Sequence, residues 1–473
     1  MRQQTLLADQ PFQSRMGWIK IGLALIAFIL LNAIFQYVAI RFGYKRYFIN
    51  AEILVAVLAF SLRCRSIGLM LFLAAVGLEI MLGLTGVFHF MDVREASDMA
   101  EFAFLARTEY LISFVVLIAL AIACFWATGR FFGEFRPNQV VLMLSFLGVG
   151  LTYSQWSLSE DNGNFFTPVH ASRNTLWFGS SAFILKDSLE LNRVKQAASG
   201  DPDIEYHRIR HPSAANFAIQ EIPSSQRILF VISEAWGLPK NSKVLEESIQ
   251  ALRNSPNVKD LEVQGVHARG ATAAGELREL CGLIPSRMNL GKMTPELIGE
   301  CLPQRLKKQG YKTVAVHGAE SSMYRRSRWY PLLGFEQMIF KGDMPSADTD
   351  CYSFPGYCDK NIFPVVSDQL KQGKVFVYWL TLNSHIPYDR RDIVNYRKGL
   401  CGEFSAANEG ELLCNYQNLH TQFFEGFAKL IEDEALRGVK VVVVGDHPPI
   451  FYDDEARGRF EAEQVPMLHF TVK

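Results

Sequence analysis

The chain has 473 residues with zero formal net charge and 49% hydrophobic residues, 12% of the total being aromatic. It is too long for one ordinary domain, and neither half is basic enough to act as a nucleic-acid partner. The apolar residues are unevenly distributed, so the chain falls into two unlike parts.

Five apolar stretches crowd the first part: Trp18–Ile40, Tyr47–Leu62, Ile67–Phe88, Tyr110–Thr128 and Val140–Leu158. About 20 apolar residues suffice to span a bilayer, which predicts a membrane domain of five helices over residues 1–158. The second stretch is short and carries Glu52, and the third encloses Glu79, so these two fit least well. The first is long, lacks a small-residue cleavage site and leads into further spans, unlike a cleaved signal peptide. An odd number of spans puts the chain ends on opposite sides. The positive-inside count favours an inner amino terminus by a small margin only.

Cysteine placement breaks the tie. Of eight cysteines, Cys64 and Cys124 lie in or beside the apolar stretches; Cys281, Cys301, Cys351, Cys358, Cys401 and Cys414 lie beyond them. No C-x-x-C pair occurs, which argues against a thiolate zinc site and for disulfides in an oxidising compartment. Six cysteines allow about 15 connectivities. Sequential pairing closes the shortest loops and is the expectation: Cys281–Cys301, Cys351–Cys358 and Cys401–Cys414. The second part is therefore expected to be extracytoplasmic.

Residues 159–225 form a connector. Within it Asn174–Val194 reads as a helix with clustered Leu176, Trp177, Phe183, Ile184 and Leu185, suited either to a membrane interface or to a packed core. Ala198-Ser199-Gly200-Asp201-Pro202 reads as a turn or linker.

From residue 226 onward, apolar β-branched runs alternate with amphipathic segments. Strands are predicted at Ile228–Ile232, Thr313–Val316, Val375–Leu382 and Val439–Val444, and helices at Lys243–Asn254, Pro303–Gln309, Phe363–Gln372 and Asn415–Asp433. This is the alternation of a doubly wound, mostly parallel α/β sheet. Ligands bind such sheets beyond the carboxyl ends of the strands. There the chain places Glu234, His317, Asn383-Ser384-His385 and Asp446-His447. Glu234, Asp446 and His447 are a donor set for one divalent metal ion, with zinc and manganese about equally suited.

A hydroxyl nucleophile is offered by Thr272, in Arg269-Gly270-Ala271-Thr272 ahead of a helical pattern through Leu277 and Leu280. A helix N-terminus favours an anion such as a phosphoryl group, and a metal can lower the hydroxyl's pKa. The plainer reading of Thr272 is a helix N-cap. Strand-end histidines also have a plainer reading, as satisfied core residues. Among Arg325, Arg326 and Arg328, Arg326 is the expected bidentate phosphate contact. Glu276 and Arg278 read as helix-surface or packing residues.

Taken together, these motifs resemble the sulfatase/alkaline phosphatase superfamily over most of residues 226–473. More narrowly they resemble its membrane phosphoglycerol and phosphoethanolamine transferases, with lipoteichoic acid synthase the clearest relative. The resemblance implies that Glu234, Thr272, Asp446 and His447 hold one divalent ion and that Thr272 is the nucleophile. His317-Gly318 followed by Tyr324 and Arg326 matches the stretch that contacts the substrate's phosphate and head group; the synthases carry Trp where this chain has Tyr324. Asn383-Ser384-His385-Ile386-Pro387-Tyr388 matches a further motif, which assigns His385 to substrate. The implied activity moves a phospholipid head group to an envelope glycan or glycolipid through a phosphothreonine, at a bacterial inner membrane with the catalytic domain in the periplasm. The rivals are a sulfatase or phosphodiesterase-type hydrolase of the same superfamily, or a scaffold without activity. The usual sulfatase nucleophile motif, C/S-x-P-x-R, is not met by Cys281-Gly282-Leu283-Ile284-Pro285-Ser286-Arg287, where proline comes four residues on.

Overall fold

The structure is a computed structural model describing residues 10–42, 44, 46–87, 108–159, 177–186, 206–209, 213, 227–285, 290, 293–298, 301–345, 350–404, 407, 409–451 and 453–473. It divides into two compact units, Met1–Ala198 and Ser199–Lys473.

In the first unit each apolar stretch is helical: α1 Gln10–Phe42, α2 Ala51–Ser61, α3 Arg65–Val87, α4 Thr108–Phe132 and α5 Pro137–Ser159. Three are long and apolar enough to cross a membrane, over Ile19–Ile40, Arg65–Leu84 and Leu111–Phe132. All five apolar helices are present, and among the described residues three of them meet the length and apolarity of a span, so the count of five spans is not confirmed. Helix α2 has only 11 residues, and α5 ends in the polar run Thr152-Tyr153-Ser154-Gln155. Large apolar side chains such as Ile26, Ile40, Met70, Phe146 and Val149 point outward, as a lipid-facing surface requires.

The two acids that fitted poorly are both partnered. Glu79 accepts Arg46 Nε at 2.8 Å and Asn50 Nδ2 at 2.6 Å, all three residues being buried. Glu52 accepts the backbone N–H groups of Ser181 and Ala182, at 3.3 and 3.2 Å, at the start of the helical turns 181–186. A short parallel pairing of β1 (Ile49–Asn50) with β2 (Phe178–Gly179) completes the join. The predicted helix Asn174–Val194 thus contains β2 and begins its helical turns at 181. Its two ends, and the linker at residues 198–202, lie outside the described residues.

In the second unit, β3 (Tyr206–Arg208) pairs with β6 (Leu283–Pro285). The main sheet has seven strands: β4 Ile228–Ser233, β5 Val258–His267, β7 Lys312–His317, β8 Gln337–Ile339, β9 Val375–Leu380, β10 Lys440–Gly445 and β11 Gln464–Val472. Their order is β5-β11-β10-β4-β9-β7-β8. Strands β10, β4, β9, β7 and β8 are parallel; β11 and β5 add an antiparallel margin.

Strand residues alternate between two apolar layers, as the pleat dictates. Phe230 and Ile232 pack with α7 (Thr272–Cys281), α8 (Leu302–Lys308) and α9 (Arg326–Leu333). Leu229 and Val231 pack on the opposite face with α6 (Ser242–Arg253), α10 (Asp359–Leu370) and α11 (Gly410–Leu430). Each predicted strand and helix is present, displaced at its ends by a few residues. The three disulfides join Cys281–Cys301, Cys351–Cys358 and Cys401–Cys414, the sequential pairing.

Candidate metal centre and nucleophile

Register decides what meets at the sheet edge. Ile232 lies opposite Val444 and Leu380, and Leu380 opposite His317, so four parallel strands end in step. Glu234 and Asp446 each leave their strand at this edge. The Glu234 N–H donates to Thr381 Oγ1 at 2.9 Å, and Ser384 Oγ donates to the Glu234 carbonyl at 2.6 Å. Asp446 Oδ1 accepts the N–H groups of Ala235 and His447 at 2.8 and 2.7 Å. Its second oxygen, Oδ2, is buried without a hydrogen-bond partner among the described residues, His447 Nε2 standing 3.4 Å away.

Helix α7 brings Thr272 to the same point. Gly270, at φ +94°, makes the predicted tight turn before it. The N-cap is Ala271, with no side-chain cap. Thr272 is the first helical residue, and its hydroxyl points elsewhere: it donates to Glu234 Oε2 at 3.2 Å and lies 3.5 Å from His447 Nε2. The capping role is therefore overturned.

Two contacts dock the helix there. A Cβ on Gly275 would stand 2.8 Å from Asp446 Cβ, so only glycine permits this approach. Arg278 donates to the carbonyls of Asp446 and Gly445 at 2.9 and 3.0 Å. Arg278 and Glu276 are 3% and 0% exposed, which selects packing over a helix surface for both. All ten residues of α7 are buried, so this helix has no solvent face.

Ligand atoms of Glu234, Asp446 and His447 lie within 4.8 Å of one another. His447 Nδ1 sits 2.9 Å from the Pro448 carbonyl, which fixes a proton on Nδ1 and turns Nε2 toward the carboxylates. Burial and the charge of Glu234 push Asp446 up to about 7. Burial also works to raise Glu234, but hydrogen bonding to His447 and the charges of His385 and His447 hold it low. Burial opposes the His447 cation, yet Asp446 and Glu234 lift it to about 9. Two buried carboxylates, one unpartnered oxygen and an aimed imidazole therefore fit a divalent cation. A second grouping, Cys351, Cys358 and Asp392, has no thiolate to offer, because its cysteines are joined as a disulfide.

The remaining predicted residues surround this centre. His317 is buried with Nδ1 at 3.0 Å from the Leu380 carbonyl; burial and the Arg326 charge push its pKa down to about 3, so it is neutral. Tyr324 and Arg325 both have positive φ, +51° and +54°, a conformation that costs non-glycine residues about 1–2 kcal/mol each. Trp329 Nε1 donates to the Tyr324 carbonyl at 2.9 Å and holds this turn. The Tyr324 ring lies 5.1 Å from the Arg326 guanidinium carbon. His385 packs under Phe354, with ring centroids 4.5 Å apart. Arg326 is 1% exposed and does not stand free as expected: Glu276 takes its Nε and one terminal nitrogen.

Four residues here escaped sequence reasoning: Glu276, Tyr330, Tyr378 and Phe354. The signal available for Glu276 was its i+4 spacing from Thr272 on one helix. Phe354 could have been sought in the short loop between Cys351 and Cys358.

The family model for sulfatases matches residues 226–470. The chain belongs to the sulfatase family. No curated relative matches the sequence. Among solved structures, the lipoteichoic acid synthase LtaP from Listeria monocytogenes is 20% identical, with 57% of this chain and 69% of that one covered and a TM-score of 0.40. The Streptococcus pyogenes phosphoglycerol transferase GacH, in complex with sn-glycerol-1-phosphate, is 17% identical, with coverages of 60% and 74% and a TM-score of 0.38. The integral membrane lipooligosaccharide phosphoethanolamine transferase EptA from Neisseria meningitidis is 14% identical, covers 97% of this chain and 88% of its own, and has a TM-score of 0.41.

Proposed function

We propose that this sulfatase-family protein is a membrane phosphotransferase that moves a phospholipid head group, phosphoglycerol or phosphoethanolamine, to a hydroxyl of an envelope glycan or glycolipid. One observation carries the reading. The Thr272 hydroxyl is free of any capping duty and stands among Glu234, Asp446 and His447 at a helix N-terminus. A formylglycine sulfatase would need a Cys or Ser in its own motif instead.

In this reading residues 1–158 are the membrane domain, 159–225 the connector and 226–473 the catalytic domain, facing the periplasm from a bacterial inner membrane. The apolar helices hold the site near its lipid donor and raise the effective concentration. Glu234, Thr272, Asp446 and His447 would hold one divalent ion, zinc or manganese. When bound, it supplies Lewis-acid charge stabilisation at the phosphoryl oxygens and lowers the pKa of the threonine hydroxyl.

The chain's own residues perform the rest. Thr272 Oγ1 passes its proton to Glu234 Oε2, the atom its hydroxyl faces, to be returned when Thr272 is later released, and attacks phosphorus in line with the diacylglycerol oxygen, which leaves with a proton from His385. The first N–H groups of α7 receive the oxygens of the resulting phosphothreonine. Arg326 and Tyr324 hold the phosphate and head group on the outer side. Neutral His317 accepts a hydrogen bond through Nε2, since its Nδ1 proton faces the Leu380 carbonyl. An acceptor hydroxyl then displaces Thr272, giving its proton to His385. The dominant requirement is offsetting the charge on the phosphoryl group.

Mass spectrometry of the purified protein after incubation with mixed phospholipid vesicles tests this. Added phosphoglycerol or phosphoethanolamine mass on the Thr272 peptide, with release of diacylglycerol, is expected. Diacylglycerol release without any mass on that peptide would overturn the covalent route.

A further inference from the structure

We infer that Glu276 is a positioning residue that grips one edge of the Arg326 guanidinium and turns the other edge toward the donor's phosphate. The inference rests on the role given to Arg326 above. Arg326 Nε and one terminal nitrogen donate to Glu276 Oε2 at 3.1 and 2.8 Å. The Tyr378 hydroxyl donates to Oε1 at 2.9 Å, and the Tyr330 hydroxyl donates to the same oxygen. The carboxylate is thus held by donors from α9 and β9 as well as by its own helix, α7.

A guanidinium has two edges that can each make paired hydrogen bonds. One is consumed by Glu276. Among the described residues the other terminal nitrogen, Nη1, donates only to the Met323 carbonyl, at 3.5 Å, so the second edge keeps N–H groups to offer. The Tyr324 ring lies beside the guanidinium, its centroid 5.1 Å from the guanidinium carbon. Arg326 also lies close enough to His317 to depress that imidazole, which places it beside the strand-end site.

Two consequences follow. Glu276 neutralises the arginine, so Arg326 acts on a phosphate through directed N–H groups rather than through net charge. Glu276 is also one helical turn after Thr272, so one rigid helix sets both the nucleophile and the phosphate clamp.

Full-length Glu276→Gln tests this, because the amide keeps the volume and one acceptor. Two readouts are needed: Kd for glycerol phosphate by calorimetry, and KM and kcat for diacylglycerol release from phosphatidylglycerol/phosphatidylethanolamine vesicles. Losing a charge-assisted pair predicts a rise of about tenfold or more in both Kd and KM, with kcat changed less than about threefold. In an Arg326→Met background the same substitution should change Kd by less than about threefold, since nothing remains to position. An unchanged Kd, or an equal loss with Arg326 already removed, overturns the inference. If Glu276→Gln does not fold, Tyr378→Phe takes its place: a Kd rise of about threefold is expected, and a wild-type Kd overturns the inference. A wild-type enzyme that binds glycerol phosphate yet never releases diacylglycerol counts against the transferase reading alone.

Discussion

Two buried clusters of charge lie at opposite ends of one turn of α7, and they are built differently. Around Glu276 the accounts of donors and acceptors are balanced: one carboxylate meets Arg326, Tyr330 and Tyr378. Around Asp446 acceptors are in excess, with two carboxylates, one aimed imidazole and an oxygen that has no donor among the described residues. A balanced cluster makes a frame. An unbalanced one makes a receptor for a cation, because buried negative charge persists only where a positive charge completes it.

The largest test of this contrast is Thr272→Ala. The structure gives the hydroxyl no capping role, so the variant should lose less than about 1 kcal/mol of stability. Head-group transfer should fall about a thousandfold or more. Thermal unfolding measured beside diacylglycerol release checks both; a folded variant with ordinary turnover would remove Thr272 from the chemistry.

Chelation separates the two clusters next. Stripping the protein with a chelator should abolish transfer and lower stability by about 3 kcal/mol, both restored by zinc or manganese. Asp446→Asn should lose this metal-dependent stabilisation while Tyr330→Phe keeps it. Equal behaviour of the two variants in metal-titrated thermal scans would erase the distinction.

Third, Arg326→Lys should cost about 10- to 100-fold in kcat/KM, since lysine cannot bridge Glu276 and a phosphate at once. Arg328 is exposed, and Arg328→Lys should change it less than about twofold. Similar small losses at both positions would return Arg326 to an ordinary role.

The smallest effect concerns His420, buried in α11 with neither ring nitrogen hydrogen-bonded among the described residues. Burial pushes its pKa down to about 3. A depressed histidine contributes stability that is present above its unfolded pKa of about 6.5 and is lost as pH falls toward the folded value. His420→Phe removes that dependence. Between pH 7 and pH 5 the variant should therefore gain about 2 kcal/mol on the wild type in denaturant titrations. A constant difference across that range would show a histidine whose proton has a partner.

Much of this architecture was readable in the chain itself. The runs ending at Ile232, Val316 and Val444 are β-branched and buried on both faces, which leaves no periodic ambiguity. Gly270 marked the turn into α7. Strand β5 escaped because it is an edge strand with exposed Lys259, Asp260 and Glu262, and β11 carries Pro466. Glu276 and Arg278 stayed undecided between surface and packing for a sharper reason. Sorting a helix into faces assumes that one face meets water, and α7 has none.

The stepped ending of β4, β7, β9 and β10 also says where this domain can tolerate change. Successive strand side chains face opposite ways, so deleting one residue from Val441–Val444 would swing the following carboxylate to the wrong side. The segments past the edge are held by contacts instead of register. Within residues 386–404 the Tyr388 hydroxyl donates to the Ile450 carbonyl, Asp392 accepts the Ser353 N–H, and Cys401 is joined to Cys414. The sheet is a fixed chassis, and what lies beyond it is fastened to it point by point.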